Sequence, residues 1–229
     1  MPKVAFTTLG CRLNQAETDS MTEELNGRGF EAAGRDEPAD LVVVNTCTVT
    51  REATKASRSA IRRAAKRHPG ARVVVIGCYA VSNPEEIEAI EGVDAVLGNS
   101  EKESFLEALE NQASVRPLLQ IGMPSSRRPA GAVGPARVRA NLKAQTGCDE
   151  WCTFCIIPRT RGPLRSLDED KLVEEARARV ADGARELVLT GVHLGKYRYD
   201  MGGDEHDLIR LFERVLSIDG VWRLRLSSI

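Results

Sequence analysis

Apolar positions in the first hundred residues follow two rhythms. Val4–Leu9, Leu41–Thr46 and Val73–Ile76 are short apolar or β-branched runs. Continuous runs such as Leu41–Thr46 mark strands buried on both faces of a parallel sheet. Between them lie stretches with helical signals. Met21 and Leu25 stand four apart within Ala16–Arg28, which ends among Gly27 and Gly29, and Arg51–His68 ends at Pro69-Gly70. Pro84–Glu91 reads as a short helix with Pro at its first position, after Asn83. Ala95–Leu97 reads as a fourth strand and Lys102–Gln112 as a fourth helix. Alternating strands and helices predict an α/β domain, residues 1–115, with a parallel sheet between two helical layers.

The rhythm breaks at 122–136, where GMPSSRRPAGAVGPA has no periodicity and is rich in Pro, Gly, Ser and Ala. Such composition marks a linker, assigned to residues 116–137. The βα rhythm then resumes over 138–229. Ala140–Gln145, Glu186–Thr190 and Arg223–Leu226 read as strands, and Leu167–Ala181 and Asp207–Ile218 as helices. Asp168, Glu169 and Asp170 open the first of these helices, where acidic side chains suit the positive helix end.

Composition adds exclusions. With 42% hydrophobic and 28% charged residues in a 229-residue chain, the sequence is neither disordered nor membrane-like. No apolar run nears the ~20 residues that span a bilayer, and the N-terminus shows no secretion signal. A cytoplasmic protein with no membrane partner is the expectation. The net charge of −1 conceals segregation. Arg51, Lys55, Arg58, Arg62 and Lys66 recur at steps of three and four, one stripe of a helix, with Glu52 the only acid in that segment. Arg116, Arg127, Arg128, Arg137, Arg139 and Lys143 lie in a stretch without acids, and Arg159, Arg161 and Arg165 follow. These residues suit phosphate contacts. They suit a solvated surface equally well, and 4% aromatic residues offer few stacking platforms.

Six cysteines change the picture. Without a secretion signal they point to metal or redox chemistry rather than disulfides. Cys11, Cys47 and Cys78 each end an apolar strand: FTTLGC, VVVNTC and VVVIGC. Loops after parallel strands gather at one sheet edge, so three distant residues converge there. Convergent thiolates are ligands for zinc or an iron–sulfur cluster, whereas buried thiols can also serve as small apolar side chains. Cys148, Cys152 and Cys155 form C-x3-C-x2-C on one loop. Three thiolates there can hold three irons of a cubane and leave the fourth open. A structural zinc would want a fourth ligand, which is lacking nearby. A thioredoxin-like pair would use Cys152 and Cys155 and leave Cys148 unexplained.

The C-x3-C-x2-C spacing, with Phe154 before the last cysteine, resembles the radical S-adenosylmethionine (SAM) superfamily. Five stretches narrow the resemblance to methylthiotransferases: TLGCRLNQAETDSM (8–21), VVVNTCTVT (42–50), VIGCYA (75–80), QTGCDEWCTFCIIPRTRGPLRS (145–166) and TGVHLGKY (190–197). The first is most similar in wording to the branch acting on N6-threonylcarbamoyladenosine in tRNA. The resemblance implies an auxiliary [4Fe–4S] cluster on Cys11, Cys47 and Cys78. It implies a second, SAM-cleaving [4Fe–4S] cluster on Cys148, Cys152 and Cys155, with both clusters facing one pocket. One SAM would methylate sulfur, and a second would yield the radical that removes hydrogen from adenine C2 at tRNA position 37. Phe154 would lie near the SAM adenine. His193 would line the site or be an ordinary loop histidine. The partners implied are the tRNA anticodon loop and an electron donor such as flavodoxin or ferredoxin. Another tRNA adenosine or a ribosomal protein is the substrate of sister branches.

The family continues further, through a partial (β/α)6 radical SAM barrel and a small RNA-binding β domain. Residues 138–229 correspond to the first part of that barrel. The expectation is therefore a truncated chain that holds all six ligands and is inactive alone. A non-catalytic metal-binding fragment and a Cys152/Cys155 redox protein are the competing readings.

Overall fold

The computed structural model describes residues 1–34, 37–121 and 138–229. The chain divides into two compact units, residues 1–130 and 131–229.

In the first unit, strands β1 (Lys3–Thr8), β2 (Glu31–Ala32), β3 (Leu41–Thr46), β4 (Arg72–Gly77) and β5 (Ala95–Leu97) form one sheet in the order β2-β1-β3-β4-β5. Every pairing is parallel. The central strand β3 is buried throughout. Its alternate side chains serve opposite faces, as the two-residue period requires. Leu41 and Val43 pack with Met21 and Leu25 of α1 (Arg12–Gly27). Val42 and Val44 pack with Ala60, Ile61 and Ala64 of α2 (Arg51–Arg67). The short helices α3 (Cys78–Ser82) and α4 (Pro84–Glu88) extend the α2 layer through Tyr79 and Ile87. Helix α5 (Phe105–Glu110) joins the α1 layer through Phe105 and Leu109. The three-layer parallel-sheet expectation holds.

Three expectations need correction here. Helix α1 starts at Arg12, not Ala16, because its first two turns bury the polar Asn14 and Glu17 and so lack an amphipathic signature. The single helix expected over 102–112 breaks at Ser104, whose backbone is not helical. Helix α6 (Arg116–Ile121) occupies the start of the expected linker, because Val115 and Leu119 are buried in the first unit's core. The remainder, 122–137, lies outside the described residues.

The second unit holds a parallel sheet of β6 (Arg139–Lys143), β9 (Glu186–Thr190) and β10 (Arg223–Leu226), with β9 central. Helices α8 (Glu169–Ala181) and α9 (Glu205–Leu216) cover one face, where Leu172, Val173, Leu211 and Val215 meet Leu142, Leu187 and Leu189. This β-α-β-α-β succession is the expected opening of a β/α barrel. Asp168 caps α8 by accepting from the backbone N–H of Asp170 and Lys171. Two further strands, β7 (Gln145–Thr146) and β8 (Arg165–Ser166), pair antiparallel, and α7 (Ile157–Arg161) lies between them. Among the described residues, no helix is long and apolar enough to cross a membrane.

Candidate functional site

Strand register brings the first three cysteines to one edge. Thr8 pairs with Asn45, Thr46 with Gly77, and Ile76 with Leu97, so β1, β3, β4 and β5 end side by side. Cys11 caps the N-terminus of α1 and is exposed, whereas Cys47 and Cys78 are buried. Cys78 follows the end of β4, as expected, and begins α3.

Two glycines let these strand ends close up. Gly10 has φ +92°, and a Cβ built on it would lie 2.7 Å from Cys47 Cβ. Gly77 has φ +112°, and its Cβ would lie 2.5 Å from the Thr46 carbonyl. Neither position accepts a side chain, by conformation or by space. The Cys47 backbone is pinned from α2: its N–H donates to Ser57 Oγ at 3.1 Å, and the Ser57 hydroxyl donates to the Cys47 carbonyl at 2.7 Å.

A buried polar network underlies the edge. Asn14 Nδ2 donates to the carbonyls of Leu9 (2.7 Å) and Thr46 (3.0 Å), tying together the segments that precede Cys11 and Cys47. Asn45 Nδ2 donates to the Asn14 carbonyl (2.9 Å) and to Thr18 Oγ1 (3.1 Å). Lys102 Nζ lies 2.7 Å from Glu17 Oε2, with the two side chains 1% and 3% exposed. Asn99, just past β5, donates from Nδ2 to Cys78 Sγ at 3.4 Å. Sequence reading missed Asn99 and Lys102. Asn99 stands after its strand as the cysteines stand after theirs, which was the available signal.

The second triad sits on a clasped loop. Gly147 has φ +71°, and a Cβ there would lie 1.8 Å from the Pro163 carbonyl oxygen. Cys148 N–H donates to the Gly162 carbonyl at 3.1 Å, closing the loop beside the β7–β8 pair. Cys155 N–H donates to the Cys152 carbonyl at 3.0 Å, a tight turn. Gln145, fully buried, is a third missed residue. Its Nε2 donates to the carbonyls of Thr146 (2.8 Å) and Gly147 (2.6 Å). Its Oε1 accepts from the N–H groups of Val192 (2.8 Å) and His193 (2.9 Å). One amide thus couples the cysteine loop to the loop after β9.

Charges join the same two loops. Lys196 Nζ lies 3.1 Å from Asp149 Oδ1 and 3.0 Å from Glu150 Oε1. The Lys196 hydrogen bond holds the Asp149 carboxyl below its usual range, and Glu150 and then Asp149 raise the Lys196 ammonium. His193 Nδ1 lies 3.8 Å from Glu150 Oε1, so His193 borders the cysteine loop. Phe154 and Trp151 are 92% and 73% exposed, an apolar pair flanking Cys152.

None of the six cysteines is in a disulfide. Among the described residues, no three His, Cys, Asp or Glu side chains are gathered in the geometry of a metal site. The donors nevertheless fit thiolate-bound clusters. Each triad is all sulfur, and each rests on backbone brought close by glycines that a Cβ would push apart.

An α/β sheet edge with one thiol triad is thus followed by a βαβαβ unit with a second. The family model described as uncharacterized protein family UPF0004 matches residues 3–98. The chain is 40% identical to threonylcarbamoyladenosine tRNA methylthiotransferase MtaB of Bacillus subtilis, covering 100% of this chain and 52% of that protein. It is also 40% identical to the MtaB of Aquifex aeolicus, covering 99% of this chain and 56% of that protein. It spans about half the length of these curated relatives. Among solved structures, the radical S-adenosylmethionine methyltransferase TsrM of Kitasatospora setae shares the fold, with a TM-score of 0.59 at 15% identity over 96% of this chain and 53% of that one. The chain is thus similar to methylthiotransferases over about half of their length.

Proposed function

We propose that this chain is the cofactor-holding N-terminal portion of a radical SAM tRNA methylthiotransferase. Its substrate is C2 of N6-threonylcarbamoyladenosine 37, the substrate class in the names of its relatives. Residues 1–115 form the N-terminal domain, and 138–229 open the radical SAM barrel. Cys11, Cys47 and Cys78 hold an auxiliary [4Fe–4S] cluster, and Cys148, Cys152 and Cys155 hold the SAM-binding [4Fe–4S] cluster. When bound, these groups supply an electron for SAM cleavage and a site for the sulfur to be transferred.

The chain's own residues supply position and shielding. Asn14 and Ser57 fix the strand ends that carry Cys11 and Cys47. Gln145 and the Gly147 clasp fix the second loop against the His193 loop. Phe154, exposed beside Cys155, would lie against the SAM adenine. The tRNA anticodon loop and an electron donor such as flavodoxin or ferredoxin are the partners. Because the relatives are about twice as long, turnover on tRNA is expected of a chain of their length, and the 229 residues are expected to bind clusters without turning over.

The observation that carries this reading is that both thiol triads lie on built platforms inside the stretch shared with the relatives. Anaerobic reconstitution followed by iron and sulfide analysis tests it. Two clusters give about eight irons per chain. One or two zincs without iron would refute it. Mass spectrometry of tRNA nucleosides from cells lacking the full-length gene tests the substrate.

A further inference from the structure

The basic stripe of α2 serves neither thiol triad. Helix α2 is seventeen residues long, about 25 Å at 1.5 Å per residue, and begins four residues after Cys47. Arg51, Lys55, Arg62, Arg63 and Lys66 are exposed along it. Arg58 is tethered to Glu86 (2.6 Å) and to the Tyr79 hydroxyl (3.3 Å). Lys55, Arg62, Arg63 and Lys66 have no ion-pair partner among the described residues. A groove of about 380 Å³ is lined by Lys55, Arg58, Ser59, Arg62, Arg63 and Lys66.

Two features set this face apart from an ordinary solvated one. Surface helices usually alternate charge sign, and like charges four apart destabilise a helix. Here 51/55, 58/62, 62/66 and 63/67 are all basic pairs. The groove also has no aromatic or large apolar anchor, which the centre of a protein–protein interface requires. Guanidinium, ammonium and hydroxyl donors without an apolar centre are the equipment of phosphate positioning. Steps of three and four residues repeat along the axis at about 5–6 Å, suited to successive phosphates of one strand.

We propose that this face of α2 binds the phosphate backbone of an RNA strand and leads that strand along the helix toward the end that carries Cys47. The proposal rests on the tRNA reading above and gives it a place. It assigns no base recognition to α2, so affinity there is independent of sequence and dependent on salt.

The test uses the 229-residue chain and a fluorescently labelled unmodified tRNA, titrated across a potassium chloride series. With about four phosphate contacts, log affinity falls against log salt with a slope of about −3. The variant Lys55→Gln/Arg62→Gln/Lys66→Gln is expected to lose about two units of slope and at least about tenfold in affinity at low salt. Its residues are exposed, and circular dichroism verifies that it folds. The control Lys171→Gln/Arg177→Gln, on exposed positions of α8, is expected to leave the slope unchanged. An unaltered slope in the triple variant, or no tRNA binding by the wild-type chain, overturns the proposal. So does a variant that keeps tRNA binding but loses binding of an acidic flavodoxin, which would give the face to the electron donor. Iron and sulfide content measured on the same samples reports the cluster reading separately, so either can fail while the other stands.

Discussion

The two thiol triads are built by opposite means. Cys11, Cys47 and Cys78 are brought to one sheet edge only through the parallel register of three strands, and two of them are buried. Cys148, Cys152 and Cys155 share one short loop, none of them is buried, and Trp151 and Phe154 stand exposed among them. The first arrangement is a property of a whole domain. The second is a property of a loop, provided that something holds the loop's ends. A site assembled by a fold inherits the fold's rigidity and its vulnerability. A site assembled by a loop depends on a few anchoring contacts, and access to it is open.

The sharpest way to break the comparison is to delete each triad in turn. Replacing Cys148, Cys152 and Cys155 together with Ala is expected to halve the iron, to about four per chain, and leave the other cluster's absorbance intact. Replacing Cys11, Cys47 and Cys78 is expected to do the converse. If either deletion removes all the iron, the two centres are not independent.

Next in size are the supports. Lys102→Met strands the Glu17 carboxylate in the first unit's interior and is expected to cost about 3–5 kcal/mol, read from urea unfolding. Combining it with Glu17→Met should recover most of that loss, because two apolar side chains leave no buried charge unpaired. The loop's corresponding anchor is glycine. Gly147→Ala drives a Cβ into the Pro163 carbonyl and is expected to cost more than about 3 kcal/mol, whereas Gly162→Ala, with nothing within 4 Å, adds only the backbone strain of φ +74° and ψ −165°, about 1–3 kcal/mol. Equal costs would show that backbone conformation, not the clasp, is what matters at Gly147.

The smallest effect is in acid. Burial raises Glu169, but hydrogen bonds from Arg214 and Arg210 outweigh it and hold its carboxyl below the ordinary value of 4.5. These contacts, 2.9 Å to Arg214 and 3.0 Å to Arg210, join α8 to α9. A depressed carboxylate contributes stability that is complete above its ordinary value and lost as the pH falls through the folded one. The second unit should therefore weaken below about pH 5, and Glu169→Gln should flatten that dependence in pH-resolved denaturation.

Much of this was legible before the structure. Strands at 41–46, 95–97, 186–190 and 223–226 match their sequence reading to the residue, because each is a short apolar run or, at 223–226, a strict polar–apolar alternation in a fixed βα rhythm. The elements missed are those that exist through their partners. β7 and β8 are two residues each and are defined by pairing with one another, and α7 is five residues with Pro158 inside it. Burial of a polar residue leaves no mark in the sequence. Asn14, Glu17, Lys102 and Gln145 are buried, and only the folded chain reveals the partners that make their burial tolerable.

The parallel register of β1, β3 and β4 also sets a schedule. Parallel strands joined through helices are non-local contacts, and they form late because long segments must first close. During synthesis the edge for Cys11, Cys47 and Cys78 does not exist until the chain through β4 has folded, whereas Cys148 to Cys155 need only a few residues to bend. An emerging or unfolded chain can therefore compete for iron with its local loop but not with its sheet edge. On the proposed assignment of two clusters, the order in which they fill is set by how far apart their thiols lie along the polypeptide.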